Sequence, residues 1–178
     1  MIYMFLANGF EEIEALLPLD LMRRAGLEVK TVGVGGIDIT GSHGITVKAD
    51  MLDTDLSDSA PECVILPGGM PGTKNLDASP VVHKALDDAL ENNSLICAIC
   101  AAPMVLGKRG ILCGKNATCF PGFEEYLEGA NVGGRVVRDG RVITAIGMGA
   151  ALEFGIEIVA ALLGRDAADK LFAAVLAK

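Results

Sequence analysis

Apolar and polar positions along this chain switch repeatedly between two rhythms. Residues 1–7 form an unbroken apolar run of strand length, the pattern of a parallel strand covered on both faces. Over 12–24 the apolar residues recur at helical spacing, and Gly26 supplies a left-handed cap. Residues 28–34 are again β-rich, 37–49 read as a hairpin excursion turning at Gly41-Ser42-His43-Gly44, and 63–66 read as a core strand ending in Pro67-Gly68-Gly69. A helix is expected over 81–91, a strand over 94–99 and a short strand over 118–120. Residues 135–137 and 141–144 flank Asp139-Gly140, a type I′ hairpin signal, and helices over 150–163 and 167–176 finish the chain. Strands alternating with helices predict an α/β architecture, a mostly parallel sheet with helices on both faces and one or two antiparallel additions. With no linker, repeat or low-complexity segment, 1–178 reads as one domain.

Composition narrows the partners. A hydrophobic content of 51% supports a substantial core. Fifteen Lys plus Arg against 23 Asp plus Glu leave a net charge of −8, and with no basic run the electrostatic term that drives nucleic-acid binding is missing. The apolar start lacks a basic n-region and a cleavage site, and no stretch of about 18 apolar residues is present, so a cytoplasmic protein with no membrane partner is expected. Five cysteines without a secretory signal do not form a disulfide framework. Cys97 and Cys100 have C-x-x-C spacing, but in an extended strand their Cα atoms lie roughly 10 Å apart, beyond the ~7 Å reach of a disulfide. Neither Cys113 nor Cys119 completes a second close pair, so no metal site is expected. Gly33-Val34-Gly35-Gly36 lacks the full dinucleotide pattern and leads into a hairpin, so no Rossmann cofactor is expected either.

The candidate chemistry lies at Ala98-Ile99-Cys100-Ala101-Ala102-Pro103. A β-like run here opens onto a helix-compatible segment, with small residues two before and two after Cys100, as a nucleophile elbow requires. The unpaired N–H groups of a helix start favour thiolate there. Taken alone, the pattern fits a reactive thiol and a space-filling one equally, because cysteine is often simply buried. In a parallel sheet, loops 8–11 and 67–72 would join Cys100 beyond the carboxyl ends of the strands. The glycines of 67–72 suit either oxyanion donors or plain tight turns.

Glu14 is the misplaced carboxylate. Phe10, Leu17, Pro18 and Leu21 lie at helical spacing around it, placing it on an apolar stripe, while Asp20 and Arg24 pair on the polar face. Burial there predicts a raised pKa; the alternative is an exposed acid at a helix start. Pro18 should kink the helix. His43 and His83 look like surface residues, and Ala101 after the thiol leaves no adjacent histidine for a Cys-His protease pair.

Together Gly9-Phe10-Glu11-Glu12-Ile13-Glu14, Met22-Arg23-Arg24-Ala25-Gly26, Leu66-Pro67-Gly68-Gly69, the Cys100 elbow and Leu152-Glu153-Phe154 make the chain resemble the ThiJ/PfpI superfamily (class I glutamine amidotransferase-like), in the branch of the parkinsonism-associated protein deglycase. The resemblance implies a flavodoxin-like three-layer sandwich, a homodimer, a protonated Glu14 hydrogen-bonded to Cys100, and backbone donors from Gly69 and Ala101, with Gly68 and Phe120 lining the site. Phe120 stands where animal members commonly carry a histidine near the cysteine, a form that bacterial relatives share, while Ala102 stands where glycine is frequent and Gly147-Met148-Gly149 replaces a more usual G-P-G loop. The implied activity is a cofactor-independent glyoxalase or deglycase acting on reactive dicarbonyls or early glycation adducts through Cys100 and Glu14. The competing readings are an oxidative-stress sensor or redox-regulated chaperone working by oxidation of Cys100, and an intracellular cysteine peptidase.

Overall fold

A computed structural model describes residues 1–57 and 59–177. In chain order the elements are β1 (Ile2–Leu6), α1 (Glu12–Arg24), β2 (Val29–Gly33), β3 (Asp38–Thr40), β4 (Thr46–Lys48), β5 (Met51–Leu52), β6 (Cys63–Leu66), α2 (Gly72–Asp77), α3 (Pro80–Glu91), β7 (Leu95–Ile99), α4 (Pro103–Lys108), β8 (Asn116–Ala117), β9 (Asn131–Val132), β10 (Val136–Asp139), β11 (Val142–Ala145), α5 (Ala151–Leu163) and α6 (Arg165–Ala174). Among the described residues seven strands form one sheet in the order β10-β11-β7-β6-β1-β2-β5, parallel except for β10 at the edge.

The apolar runs are continuous because both faces of the sheet are covered. Along β1 the period-two alternation sends Ile2, Met4 and Leu6 into one core and Tyr3 and Phe5 into the other. The first core is filled from α1, α5 and α6, the second from α2, α3 and α4. The result is the expected flavodoxin-like sandwich. Fully buried Phe5, Phe10 and Phe154 anchor it, each worth roughly 1.5–3 kcal/mol of burial. Pro18 interrupts the hydrogen bonding of α1 without ending it. The ring lies where α5 crosses, and a Cβ on Gly155 would come within 3.0 Å of Pro18 Cα, so a glycine there permits the close approach.

Three local expectations change. The strand expected over 118–120 is instead β8, two residues earlier and paired with β9, and Thr118 is held by Thr144 Oγ1, which accepts its N–H at 2.9 Å. The β10–β11 hairpin exists, but its register pairs Asp139 with Val142, so Gly140 and Arg141 are the central turn residues. Positive φ occurs only at Gly140 (60°), the type II′ pattern rather than I′. The end of loop 67–72 is already helical, as α2 begins at Gly72. No helix among the described residues is long and apolar enough to cross a membrane.

Candidate active site

Strands β11, β7, β6 and β1 are neighbours, so their carboxyl ends deliver four loops to one place. The loop after β1 starts α1. Glu11 caps it by accepting the Glu14 N–H at 2.7 Å, and the Glu11 N–H is itself bonded to Gly68 O at 2.9 Å, tying the helix start to the loop after β6. That tie aims Glu14 inward beneath the elbow.

Cys100 sits at φ 66°, a left-handed conformation costly for any residue with a Cβ. Two hydrogen bonds hold it there: its N–H donates to Ala145 O at 2.8 Å, and its carbonyl accepts from Phe120 N–H at 2.8 Å. Ala98 and Ala102 are fully buried against the turn, so the small residues flanking the elbow serve the purpose expected of them. Gly68 is required by space, since a Cβ there would lie 2.5 Å from Glu14 Oε2 and 2.6 Å from Cys100 Cβ.

Glu14 is fully buried, and its Oε2 accepts the Gly68 N–H at 3.0 Å. Its other oxygen, Oε1, has no partner in ordinary hydrogen-bond geometry; the groups that bear on the carboxylate are the Cys100 thiol and the Met148 N–H. Burial, reinforced by the charge of Glu11 and opposed by the thiol, pushes Glu14 up to about 7. A buried acid on an apolar stripe was legible in the sequence.

The acidity of the thiol was not. The Ala101 and Gly69 N–H groups do lower Cys100, as a helix start should. Burial and then the neighbouring Glu14 charge outweigh them, pushing the thiol up to about 12 once Glu14 is ionised. The expectation of a thiol acidified by the helix start alone is therefore corrected. The helix it opens, α4, has only six residues and a short dipole, while the carboxylate is in direct contact. Cys100 and Glu14 titrate as one pair, losing a first proton near neutrality and the second only far above it.

The remaining candidates fall away from this pair. Cys97 is buried in β7 with its Sγ 3.9 Å from that of Cys63, and Cys97 and Cys100 are both free thiols. His83, expected on the surface, is half-buried; its Nε2 bonds Asp77 O at 2.7 Å and its Nδ1 accepts from Arg109 at 2.8 Å. His43 is exposed at the β3–β4 turn, but it binds Glu12, which the sequence did not single out. Glu12 is buried and accepts from His43 N–H at 2.8 Å and His43 Nδ1 at 3.0 Å. Burial would raise Glu12, but the bonds from His43 and Ile45 hold it at about 2. Glu11, Glu12 and His43 have ligand atoms within 4.8 Å of one another, but the Glu12 oxygens are already committed to the hairpin. Sequence reasoning also missed the Met148 N–H as a donor to Glu14. The only hint was the glycine on each side of it. A cavity of about 280 Å³ lined by Tyr3, Leu56, Pro61 and Val81 lies at the opposite, amino ends of β1 and β6 and shares no residue with the pair.

A parallel α/β sandwich with a strained cysteine on a strand-to-helix turn, set over a buried acid, defines a flavodoxin-like protein with a cysteine elbow. The chain belongs to the DJ-1/PfpI family, which matches residues 1–161. It is 36% identical over 179 residues to the Parkinson disease protein 7 homolog of Danio rerio, covering 97% of this chain and 95% of that protein. It is 37% identical over 166 residues to Protein DJ-1 homolog B of Arabidopsis thaliana, covering 91% of this chain but only 38% of that longer relative. A further relative, the Glutathione-independent glyoxalase DJR-1.2 of Caenorhabditis elegans, is 32% identical over 163 residues, covering 90% of this chain and 87% of its own. Among solved structures, oxidized Toxoplasma gondii DJ-1 superposes with a TM-score of 0.94 at 32% identity, over 98% of this chain and 97% of that one.

Proposed function

We propose that this chain is a cofactor-independent glyoxalase or deglycase acting on small dicarbonyls or early glycation adducts, with Cys100 as nucleophile and Glu14 as proton carrier. The observation that carries the reading is the pairing of a half-exposed sulfur at a strained elbow with a buried carboxyl group that changes protonation near pH 7. With one proton left in the pair it resides mainly on sulfur, and the reactive minority state has it on Glu14 with the sulfur as thiolate. It attacks the aldehyde carbon of methylglyoxal, and the electron pair released to the carbonyl oxygen takes the Glu14 proton, giving a hemithioacetal. The Gly69 and Ala101 N–H groups beside the sulfur suit the transient oxyanion. The carboxylate then removes the proton from the former aldehyde carbon and returns it to the former ketone carbon. Water releases the thioester as lactate. One carbon is oxidised and its neighbour reduced, so no external oxidant is needed. The glyoxalase name of the Caenorhabditis elegans relative supports this class of reaction. Lactate formation from methylglyoxal should be lost in both Cys100→Ser and Glu14→Gln; undiminished turnover in both refutes the mechanism.

A second reading is favoured by the two amides at the sulfur and the unpartnered Glu14 Oε1, which together suit the oxygens of a cysteine sulfinate. The Toxoplasma gondii relative is described as oxidized. Two successive peroxides would each transfer one oxygen to Cys100 and leave as water. Intact-mass analysis showing two oxygens added at Cys100, without dicarbonyl turnover, selects this reading over the enzyme. A peptidase is not proposed, because both histidines are engaged elsewhere.

A further inference from the structure

The rim of the site is more apolar than the pair beneath it. Among the described residues Met70, Phe120 and Met148 are large apolar side chains left 37%, 47% and 54% exposed, and they belong to three separate segments that close on the pair. Met70 follows Gly69, whose N–H reaches the sulfur; Phe120 donates its N–H to the Cys100 carbonyl; the Met148 N–H reaches Glu14. Single exposed apolar residues are ordinary, but several gathered on one rim mark a binding surface.

Gly147 shows how the rim and the chemistry meet. A carbon placed where its side chain would start lies 3.3 Å from Phe120 Cδ2 and 3.9 Å from both Cys100 Sγ and Glu14 Oε1. With no side chain on Gly147, nothing from this segment stands between the ring, the sulfur and the acid. The ring is also backed: Phe123 packs edge-on against it at 6.5 Å between centroids and itself rests on Tyr126 at 5.9 Å. Phe120 is thus a supported wall rather than a free surface side chain. The acids that bear on the site, Glu11 and Glu14, are of one sign, which disfavours an anionic substituent beside the reacting carbon.

We propose that this mouth selects electrophiles carrying an apolar, and best an aryl, substituent. Resting on the glyoxalase-type reading, the preferred substrates are then aryl- or branched-alkyl-substituted α-oxoaldehydes rather than glyoxal. The balance of the reaction is unchanged: the aldehyde carbon becomes carboxylate, the ketone carbon becomes carbinol, and one water is consumed, so phenylglyoxal yields mandelate. Complementary apolar walls of this kind are worth on the order of tenfold in discrimination.

Two measurements test this. The first compares alkylation of Cys100 by N-phenylmaleimide and N-methylmaleimide, each rate divided by that of free cysteine with the same reagent and followed by peptide mass analysis. The second compares kcat/KM for phenylglyoxal and glyoxal. Wild type should favour the phenyl reagent by about tenfold in both. Phe120→Ser and Met148→Ser should each lower that ratio, Phe120→Leu should restore part of it, and circular dichroism establishes that each variant is folded. A phenyl-to-methyl ratio near one in wild type, or one unmoved by Phe120→Ser, overturns the proposal. A phenyl preference in alkylation without turnover of either dicarbonyl upholds the apolar mouth and removes the enzymatic reading instead.

Discussion

Replacing Glu14 with Gln should flatten the dependence of stability on pH. In the folded protein burial raises the Glu14 carboxyl from its ordinary value to about 7. Below the unfolded value both states hold the proton, and folding pays no penalty for ionisation. As pH rises from about 4.5 through 7 the unfolded chain gives up its proton first, so the folded state becomes progressively less favourable. Above that window both states are ionised, and the full cost of the buried charge is present. At 1.36 kcal/mol per unit, a shift of this size is worth about 3 kcal/mol. Glutamine cannot ionise and lacks the effect, while the Gly68 N–H that reaches Oε2 at 3.0 Å can still donate to its amide oxygen. Urea denaturation of both proteins at intervals between pH 4.5 and 8 isolates the contribution, because every other titrating group is common to the two. Wild type should lose about 3 kcal/mol more than Glu14→Gln across that range. Parallel curves for the two proteins refute a buried, neutralised Glu14.

Other consequences follow from the same geometry. Gly68→Ala forces a methyl against Glu14 Oε2 and Cys100 Cβ; overpacking of this kind should lower stability by roughly 1–3 kcal/mol and abolish dicarbonyl turnover, read by chemical denaturation and lactate assay. Glu12→Ala strips the acceptor from the His43 and Ile45 N–H groups, and leaving those donors unpaired should cost about 2–3 kcal/mol at pH 7 in urea denaturation. The hydrogen bond to Glu12 and its charge raise His43 above its ordinary value. An NMR titration should therefore show the imidazole shift fall back towards about 6.5 in Glu12→Gln.

Much of this arrangement was legible because the information was local. Strand length, helical spacing and the small residues around Cys100 each depend on a few neighbours in sequence, and the fold follows them closely. Glu14 was legible for the same reason, as its apolar neighbours are one helical turn away. What was not legible depends on distant contacts. The acidity of Cys100 is decided by its burial and then by a carboxylate that the fold brings up from α1, and Glu12 is buried because a hairpin some thirty residues further on supplies its donors. The short strand β8 lies earlier than propensity suggested because its partner β9 fixes the register. The β10–β11 turn moved by one residue for a similar reason: cross-strand register, rather than the Asp-Gly dipeptide, chose the central pair.

The most direct test of the shared proton is the pH dependence of Cys100 alkylation by iodoacetamide, followed by mass spectrometry in wild type and Glu14→Gln. Because the proton left in the pair can pass from sulfur to Glu14, a small share of thiolate appears as the first proton leaves; the wild-type rate should show a step near pH 7 ahead of its main rise at much higher pH, and Glu14→Gln should lose that step. A wild-type profile that stays flat through neutrality and climbs only in the range of an ordinary or more basic thiol would contradict the account.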